Sequence, residues 1–334
     1  MKKLLNEPDR AVADYLLGLA ATTPTVAVDH DRRIVYRAEP AASSKVAVIS
    51  GGGSGHEPLH SGYVGTGMLD AACVGEIFSS PSPGQITDAI TRCASDAGCL
   101  LIVKNYMGDQ LNFGIAAERA TEQGIDVRIL TIDDDVATRS TRSNGRRGLG
   151  LTVIAEKILG AAAEQGHGLD ELLDIGERVR AGRSMGVSLS ACTHPQAGFA
   201  TFDLGVDEIE IGTGIHGEVG TDRRPALAAR EIVDLLVGEI TQDLAAAPGT
   251  RFIAMVNGLG GTPLIELYVI ANGLSEILVE RGLHIDRYLV GSFITSLEMA
   301  GCMITLLPVD AQLLELWDAP VTTSALRWDK GVGA

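Results

Sequence analysis

Apolar residues at positions 12, 15, 16 and 19 recur at helical spacing across residues 8–21, and the stretch ATTPTVAVDHDRRIVYRAE after them reads as a helix stop followed by a short hairpin. A different pattern begins with KVAVIS at 45–50, a short apolar run without polar alternation. Runs of this kind then alternate with helical patterns: CLLIV at 99–103, a helix over about 110–123, VRILTI at 127–132, and helices over about 151–165 and 169–181. Continuous apolar strands suit a sheet buried on both faces, and their alternation with helices predicts a mostly parallel sheet with covering helices. In SMGVSLSACT and EIEIGTGIHGEVG, polar and apolar residues instead alternate as in half-buried strands. Helices over 225–245 and 263–280, with strands RFIAMV, RYLVGSF and MITLLP, complete this second region. The reading is an α/β protein. An N-terminal domain, 1–184, carries a mostly parallel sheet, and a second, α+β domain spans 185–334.

Composition narrows what such a chain can do. Its 334 residues are 46% hydrophobic, enough to fill two cores, and the net charge of −16 opposes binding to nucleic acid or an anionic membrane. The five cysteines, Cys73, Cys93, Cys99, Cys192 and Cys302, show no C-x-x-C spacing and are expected to stay reduced. Polar residues interrupt the N-terminal apolar stretch before it reaches signal-peptide length, and no apolar run reaches the roughly 18 residues of a membrane span. A cytoplasmic protein is therefore expected. Forty glycines, about 12% of the chain against a usual value of roughly 7%, are the compositional anomaly.

Three loops follow the buried strands, where open α/β sheets bind ligands. GGGSGHEP at 51–58 lets backbone N–H groups approach a ligand closely, or is simply a mobile turn. It fails the Walker, nucleophile-elbow and dinucleotide patterns. In KNYMGDQ at 104–110, Lys104 could donate to an oxygen-rich substrate and Asp109 could take a hydroxyl proton; the same residues also read as a surface ion pair and an N-cap for a helix starting at Gln110. DDDVATRSTRSNGRRG at 133–148 is expected to run over the surface, and its Asp133, Asp134 and Asp135 lack the accompanying ligands of a metal site, so no metal is expected. GTGIHGEVG at 212–220 satisfies G-x-G-x-x-G, but no helix opens at its third glycine, which argues against a nicotinamide cofactor. It leaves His216 at a strand end beside Glu218, either a nucleophile toward a carbonyl carbon or a structural histidine. His30, His60, His167 and His284 read as structural or solvated.

Taken together, GGGSGHEP, HSGYVGTGMLDAACVGEIFSSPSPGQI, IVKNYMGDQLNF, the Ser184–Gly186 triplet SMG and EIEIGTGIHGE closely resemble, in order and spacing, the dihydroxyacetone-binding subunits of dihydroxyacetone kinases. The similarity runs essentially end to end and implies a two-domain α/β protein. By that resemblance His216 forms a covalent hemiaminal with the ketone of dihydroxyacetone, His56 acts as acid or base in making and breaking it, and Asp109 is the general base on the hydroxyl to be phosphorylated. Lys104 would donate to the substrate, and Gly53, Ser54 and Gly55 would cradle it. The resemblance implies no cofactor on this chain; ADP or ATP with magnesium is expected on a nucleotide-binding partner subunit, because the chain stops at Ala334. A phosphotransferase-system donor is favoured over ATP exchange, and a homodimer is expected. The motif departs from the family pattern at Thr213, Val219 and CTHPQAGFATF, which keeps open a four-carbon ketose such as erythrulose as substrate, and some relatives are non-catalytic, ketose-sensing coactivators.

Overall fold

The structure is a computed structural model that describes residues 2–139 and 145–329. The chain divides into two compact units that interleave along the sequence. The first comprises Lys2–Ile132, Thr152–Arg178 and the chain from Glu315 onward; the second comprises Asp133–Leu151 and Val179–Leu314. A single boundary near Ser184 describes the sequence pattern. The contacts instead join 133–151 to the later strands, because Asp134 and Asp135 hydrogen-bond and pair within that unit, while 152–178 returns to the first.

The first unit is built on strands β1 (Val26–Asp29), β2 (Ile34–Arg37), β3 (Ala47–Ser54), β4 (Ala71–Ile77), β5 (Cys99–Lys104) and β6 (Val127–Ile132), in the order β1-β2-β4-β3-β5-β6. The β1–β2 hairpin and its join to β4 are antiparallel; β4, β3, β5 and β6 run parallel. Helices α1 (Ala11–Thr22), α2 (Pro83–Cys93), α3 (Met107–Glu122), α4 (Leu151–Glu164, from Thr152) and α5 (Leu169–Val179, to Arg178) cover it. Side-chain parity sorts the two faces. Ala47 and Ile49 of β3 and Cys99, Leu101 and Val103 of β5 pack with Ile86 and Ile90 of α2 and Phe113 and Ala116 of α3. The opposite parity carries Val48, Ser50, Gly52, Leu100, Ile102 and Lys104. Since β4 and β5 flank β3 on either side, the chain reverses direction across the sheet there, and the carboxyl ends of β3 and β5 lie at a topological switch point.

The second unit holds β7 (Arg183–Ser188), β8 (Glu208–Ile211), β9 (Asp222–Pro225), β10 (Arg251–Gly258), β11 (His284–Gly291) and β12 (Gly301–Pro308), ordered β11-β10-β12-β7-β8-β9, with only β10–β11 parallel. Helices α6 (Ala229–Asp243) and α7 (Leu264–Glu280) pack Val233, Leu236, Leu274 and Ile277 against Val187, Ile211, Phe252 and Ile304. The remaining elements are α8 (Ala311–Asp318) and a terminal pair, β13 (Val321–Thr322) with β14 (Arg327–Trp328). Both sheets, mixed with helices, bear out the expected class.

Local chemistry explains where the elements depart from the periodicity. The helix expected from 225 starts at Ala229, because Asp222–Pro225 pairs with β8 as an exposed strand; the Glu231 carboxylate then accepts from the Ala228 N–H at 2.9 Å. Helix α2, absent from the sequence reading, is started by a capping box in which Ser82 and Gln85 satisfy each other's backbone N–H groups. Of the loop expected over the surface at 133–148, residues 140–144 lie outside the described residues, and its flanks are not superficial: Asp134, Asp135 and Arg147 are buried. Among the described residues no helix is long and apolar enough to cross a membrane, and all five cysteines are free.

Candidate functional site

In the first unit, glycine at the end of β3 lets other groups come very close. An ideal Cβ on Gly51 would lie 2.5 Å from the Cys73 carbonyl oxygen of β4, and one on Gly53 2.6 Å from the Ser79 nitrogen. On Gly52 it would lie 2.5 Å from Lys104 Nζ, so the strand carries no side chain where the cation stands. Lys104, the last residue of β5, is fully buried and donates to Gly51 O at 3.3 Å. Asp109 Oδ2 stands 3.8 Å from its ammonium. Helix α3 begins at Met107 with Tyr106 as N-cap, three residues earlier than expected, which puts Asp109 inside the first turn and 4% exposed. The alternatives of a surface ion pair and a helix cap are therefore both wrong. The pair is buried, and Asp109 sits beyond the capping position.

His56 is buried and stacked on Phe78, ring centroids 5.3 Å apart. Of the three groups expected to cradle substrate, Ser54 Oγ donates to Gly75 O at 2.8 Å and the Gly55 N–H donates to the Glu57 carboxylate at 3.0 and 3.1 Å. Burial pushes the Glu57 carboxyl up, against the pull of those backbone donors. Gly53 contributes clearance for the 78–79 backbone, and Gly55 adopts a positive φ of 97°.

His216 belongs to the second unit, on the loop between β8 and β9. Its backbone N–H donates to Glu218 Oε2 at 2.8 Å and its Nδ1 lies 3.7 Å from Glu218 Oε1, with the side chain 17% exposed. Arg147 anchors this loop: Nη2 donates to Gly212 O at 2.7 Å, Nε to Asp135 Oδ2 at 2.6 Å, and Nη1 stands 3.7 Å from Glu218 Oε1. Burial pushes the Glu218 carboxyl up, but the hydrogen bond and charge of His216 and the charge of Arg147 outweigh it and hold the group down at about 2. A Cβ on Gly214 would collide with both Glu218 and Arg147. The third glycine of the G-x-G-x-x-G run, Gly217, leads into strand β9 and no helix opens there, so a dinucleotide fold is excluded.

The aspartate triplet is divided among structural partners. Asp133 pairs with Arg180 at 3.2 Å, while Asp135 takes Arg147 and the Thr138 hydroxyl. Asp134 accepts from the Leu149 and Leu151 N–H groups at 2.6 and 2.9 Å and from Ser184 Oγ; burial nevertheless pushes its carboxyl up to about 6. Among the described residues no group of three or more His, Cys, Asp and Glu side chains is arranged to hold a metal.

Sequence reasoning missed His60, Glu156, Ser50, Arg147 and Asp135. His60, expected to be structural or solvated, is buried with its Nε2 2.6 Å from Lys104 Nζ. Two signals could have found the first three. Ser50 and Lys104 are polar residues of the same parity on neighbouring buried strands, and Glu156 with Lys157 interrupts an otherwise apolar helix, LTVIAEKILGAAA.

A family profile described as the Dak1 domain matches residues 17–325. The PEP-dependent dihydroxyacetone kinase, dihydroxyacetone-binding subunit DhaK, of Escherichia coli strain K12 is 45% identical over 99% of this chain and 100% of that protein. Two solved structures share the fold. The dihydroxyacetone kinase operon co-activator Dha-DhaQ matches with a TM-score of 0.91 at 33% identity, covering 97% of this chain and all of that one. The dihydroxyacetone kinase from C. freundii in complex with AMP-PNP and Mg2+ matches with 0.91 at 35% identity, covering 100% of this chain and 62% of that one.

Proposed function

The chain belongs to the Dak1 domain family, and from that premise we propose that it is the substrate-binding subunit of a dihydroxyacetone kinase, holding the ketose on His216 while a primary hydroxyl is phosphorylated. The observation that carries this reading is the pair of Lys104 and Asp109. A cation and a base are kept from water at the carboxyl edge of a switch-point sheet, in a chain 45% identical to the E. coli subunit throughout its length. In this reading Lys104 donates to a substrate oxygen. Asp109 takes the proton of the hydroxyl as its oxygen attacks phosphorus.

His216 suits the covalent step. In this step Nδ1, 3.7 Å from Glu218 Oε1, carries the proton and the Nε2 lone pair adds to the ketone carbon. One N–C bond forms, the carbonyl π bond breaks, and a proton passes from Nδ1 to the new alkoxide, with His56 as the acid that delivers it. Addition selects for a ketone and rejects glycerol, whose hydroxyls have similar reach but whose carbons are not electrophilic. Tethering also fixes the hydroxyl for transfer. The phosphoryl group would come from a nucleotide-binding partner carrying ADP or ATP with magnesium. The PEP-dependent route is favoured by the match over the whole of the E. coli subunit. The protein would work in the cytoplasm, as a homodimer.

The likeness to the Dha-DhaQ co-activator supports a second reading, a ketose sensor without turnover. Native mass spectrometry with dihydroxyacetone, then turnover with a nucleotide-bearing partner subunit added, tests both. The kinase reading expects an adduct of one ketose, lost in His216→Ala, and product formation. An adduct without turnover makes the chain a sensor, and the absence of any adduct overturns the covalent step. Running erythrulose alongside decides between three- and four-carbon ketoses.

A further inference from the structure

Behind Lys104 stands a second row of buried polar groups that the chemistry above does not use. His60 Nε2 is 2.6 Å from Lys104 Nζ, and His60 Nδ1 is 2.5 Å from Glu156 Oε1 and 3.0 Å from Ser50 Oγ. Lys104, Glu156 and Ser50 are wholly removed from solvent and His60 almost so. Their hydrogen-bonding capacities fix a direction. With Lys104 charged, its ammonium only donates, so Nε2 accepts and the imidazole carries its proton on Nδ1. Ser50 Oγ donates to Ile102 O at 2.7 Å, which turns its lone pairs toward the same Nδ1–H. With both end groups ionised, the chain runs from ammonium through neutral imidazole to carboxylate.

We propose that Glu156 and His60 are positioning residues for Lys104: Glu156 supplies, across the His60 ring, the negative charge that keeps the buried Lys104 ammonium protonated, and His60 holds it against the glycine strand beside Asp109. The charged and titratable groups facing Lys104 are Asp109 from α3, Glu156 from α4 and His60 from the loop after β3, with His56 acting on His60. Burial, then the charges of Lys104 and His56, holds His60 well below the ordinary histidine range, so it serves as a neutral bridge. Burial lowers the Lys104 ammonium against the upward pull of Asp109 and Glu156, and the same burial pushes the Glu156 carboxyl up to about 8 against the pull of Lys104 and Ser50, so the two charges depend on each other. Removing the Glu156 charge leaves Asp109 as its one carboxylate partner among these groups. The substrate-binding role of Lys104 rests on the function proposed above; the charge relation between Glu156 and Lys104 does not.

The chain has six lysines, so selective labelling with 13Cε,15Nζ-lysine gives a readable spectrum, with Lys104→Met assigning the signal. In Glu156→Gln, which keeps the shape and an acceptor for Nδ1–H, the Lys104 titration midpoint should fall by about one to two pH units. The buried Lys45 signal should stay in place as a reporter of intact folding. An unchanged Lys104 midpoint overturns the proposal. So does a wild-type Glu156 found protonated at pH 7 by 13Cδ-glutamate labelling, a measurement that needs no variant. In turnover assays the alkaline limb of kcat/KM should move down with Lys104, costing at least about tenfold at pH 8 and little at pH 6. A purely structural Glu156 would lower stability at both pH values and leave the limb where it is. If the wild type neither forms an adduct nor turns over while the Lys104 midpoint still moves in Glu156→Gln, the kinase reading falls and the charge relation stands.

Discussion

Replacing Gly52 by alanine puts a methyl group where the Lys104 ammonium stands, its Cβ 2.5 Å from Nζ and 3.2 Å from His60 Nε2. Restoring an ordinary separation of about 3.5 Å requires Nζ to retreat by about 1 Å. A four-carbon stem has torsions to do that, so the fold should lose only ~1 kcal/mol, partly offset by the 0.5–1 kcal/mol that alanine gains over glycine within a strand. Catalysis is far less forgiving: a misplacement of about 1 Å in a positioning group costs on the order of 10²-fold. Gly51→Ala is the matched control. Its Cβ would meet the Cys73 carbonyl oxygen at 2.5 Å and the Cys73 nitrogen at 3.1 Å, which is strand backbone that cannot retreat without opening the sheet, so stability should fall by roughly 1–3 kcal/mol or more. Urea denaturation of both variants, beside kcat/KM for dihydroxyacetone with the partner subunit present, separates the two effects. A Gly52→Ala protein within threefold of wild-type activity would refute the placement of Lys104 at the substrate. One as unstable as Gly51→Ala would refute the argument that the lysine can yield.

Asp109→Asn should still form the ketose adduct by native mass spectrometry but lose turnover by about 10²–10⁴-fold, the range for removing a general base; loss of the adduct as well would make Asp109 a binding residue. Arg147→Met strands the buried Asp135 carboxylate without its guanidinium and frees the His216 loop, so it should cost about 3–5 kcal/mol in denaturant unfolding and slow adduct formation. Arg147→Lys should rescue little, since an ammonium cannot reach Asp135 and Gly212 O together in the geometry of a guanidinium. Lys157→Met should stabilise the protein in a pH-dependent way. Burial, against the charge of Asp318, lowers the Lys157 ammonium from 10.5 to about 7, so below pH 7 the folded state carries the whole penalty, at most ~5 kcal/mol, and it fades as pH rises toward 10.5. Urea midpoints at pH 6 and 9.5 check this: the gain of Lys157→Met over wild type should be large at the first and small at the second, and an equal gain at both removes burial of the charge as its cause.

The parallel strands were legible because burial on both faces leaves an unbroken apolar run, as in KVAVIS and CLLIV. Helices were legible where one face stayed apolar. Strand β4 was not, since AACVGEI packs small residues where neighbouring backbone is close and offers little hydrophobic contrast. Strand β9 escaped because DRRP is exposed throughout and is held by its ladder to β8 alone. At the site, Lys104 and Asp109 could be named from their loop, but whether they were buried could not be decided locally: that depends on α4, more than forty residues later in the chain, delivering Glu156 to His60. The interleaving of the units was hidden for a similar reason. Asp134 and Arg147 are polar residues in a polar loop until Ser184 and Gly212 arrive to bond them. Glycine, the compositional anomaly, resolves into close approaches at Gly51, Gly52 and Gly214 and positive φ at Gly212 and Gly217.

Helix α4 carries its own comparison between a buried charge that stability can tolerate and one that stability does not explain. Lys157 donates to Leu316 O at 2.9 Å and lies 5.4 Å over the Trp328 ring, and burial lets it shed its proton near neutrality, so no ion pair has to be maintained in the core. Burial also pushes the carboxyl of the residue before it up, to about 8, but there a second charge, that of Lys104, pulls the other way. Glu156 faces a histidine that burial keeps neutral and, beyond it, a lysine whose ammonium burial lowers and the carboxylates of Asp109 and Glu156 support. Desolvating such a set costs several kcal/mol per ion, and well-packed apolar residues of similar volume are usually as stable or more so. A fold seeking only stability would treat position 156 as it treats Ile154 and Ile158, both wholly buried and apolar. An acidic residue at 156 is intelligible if it serves to keep Lys104 protonated out of reach of water, as proposed above, and the substrate-binding role proposed for Lys104 gives that service a purpose.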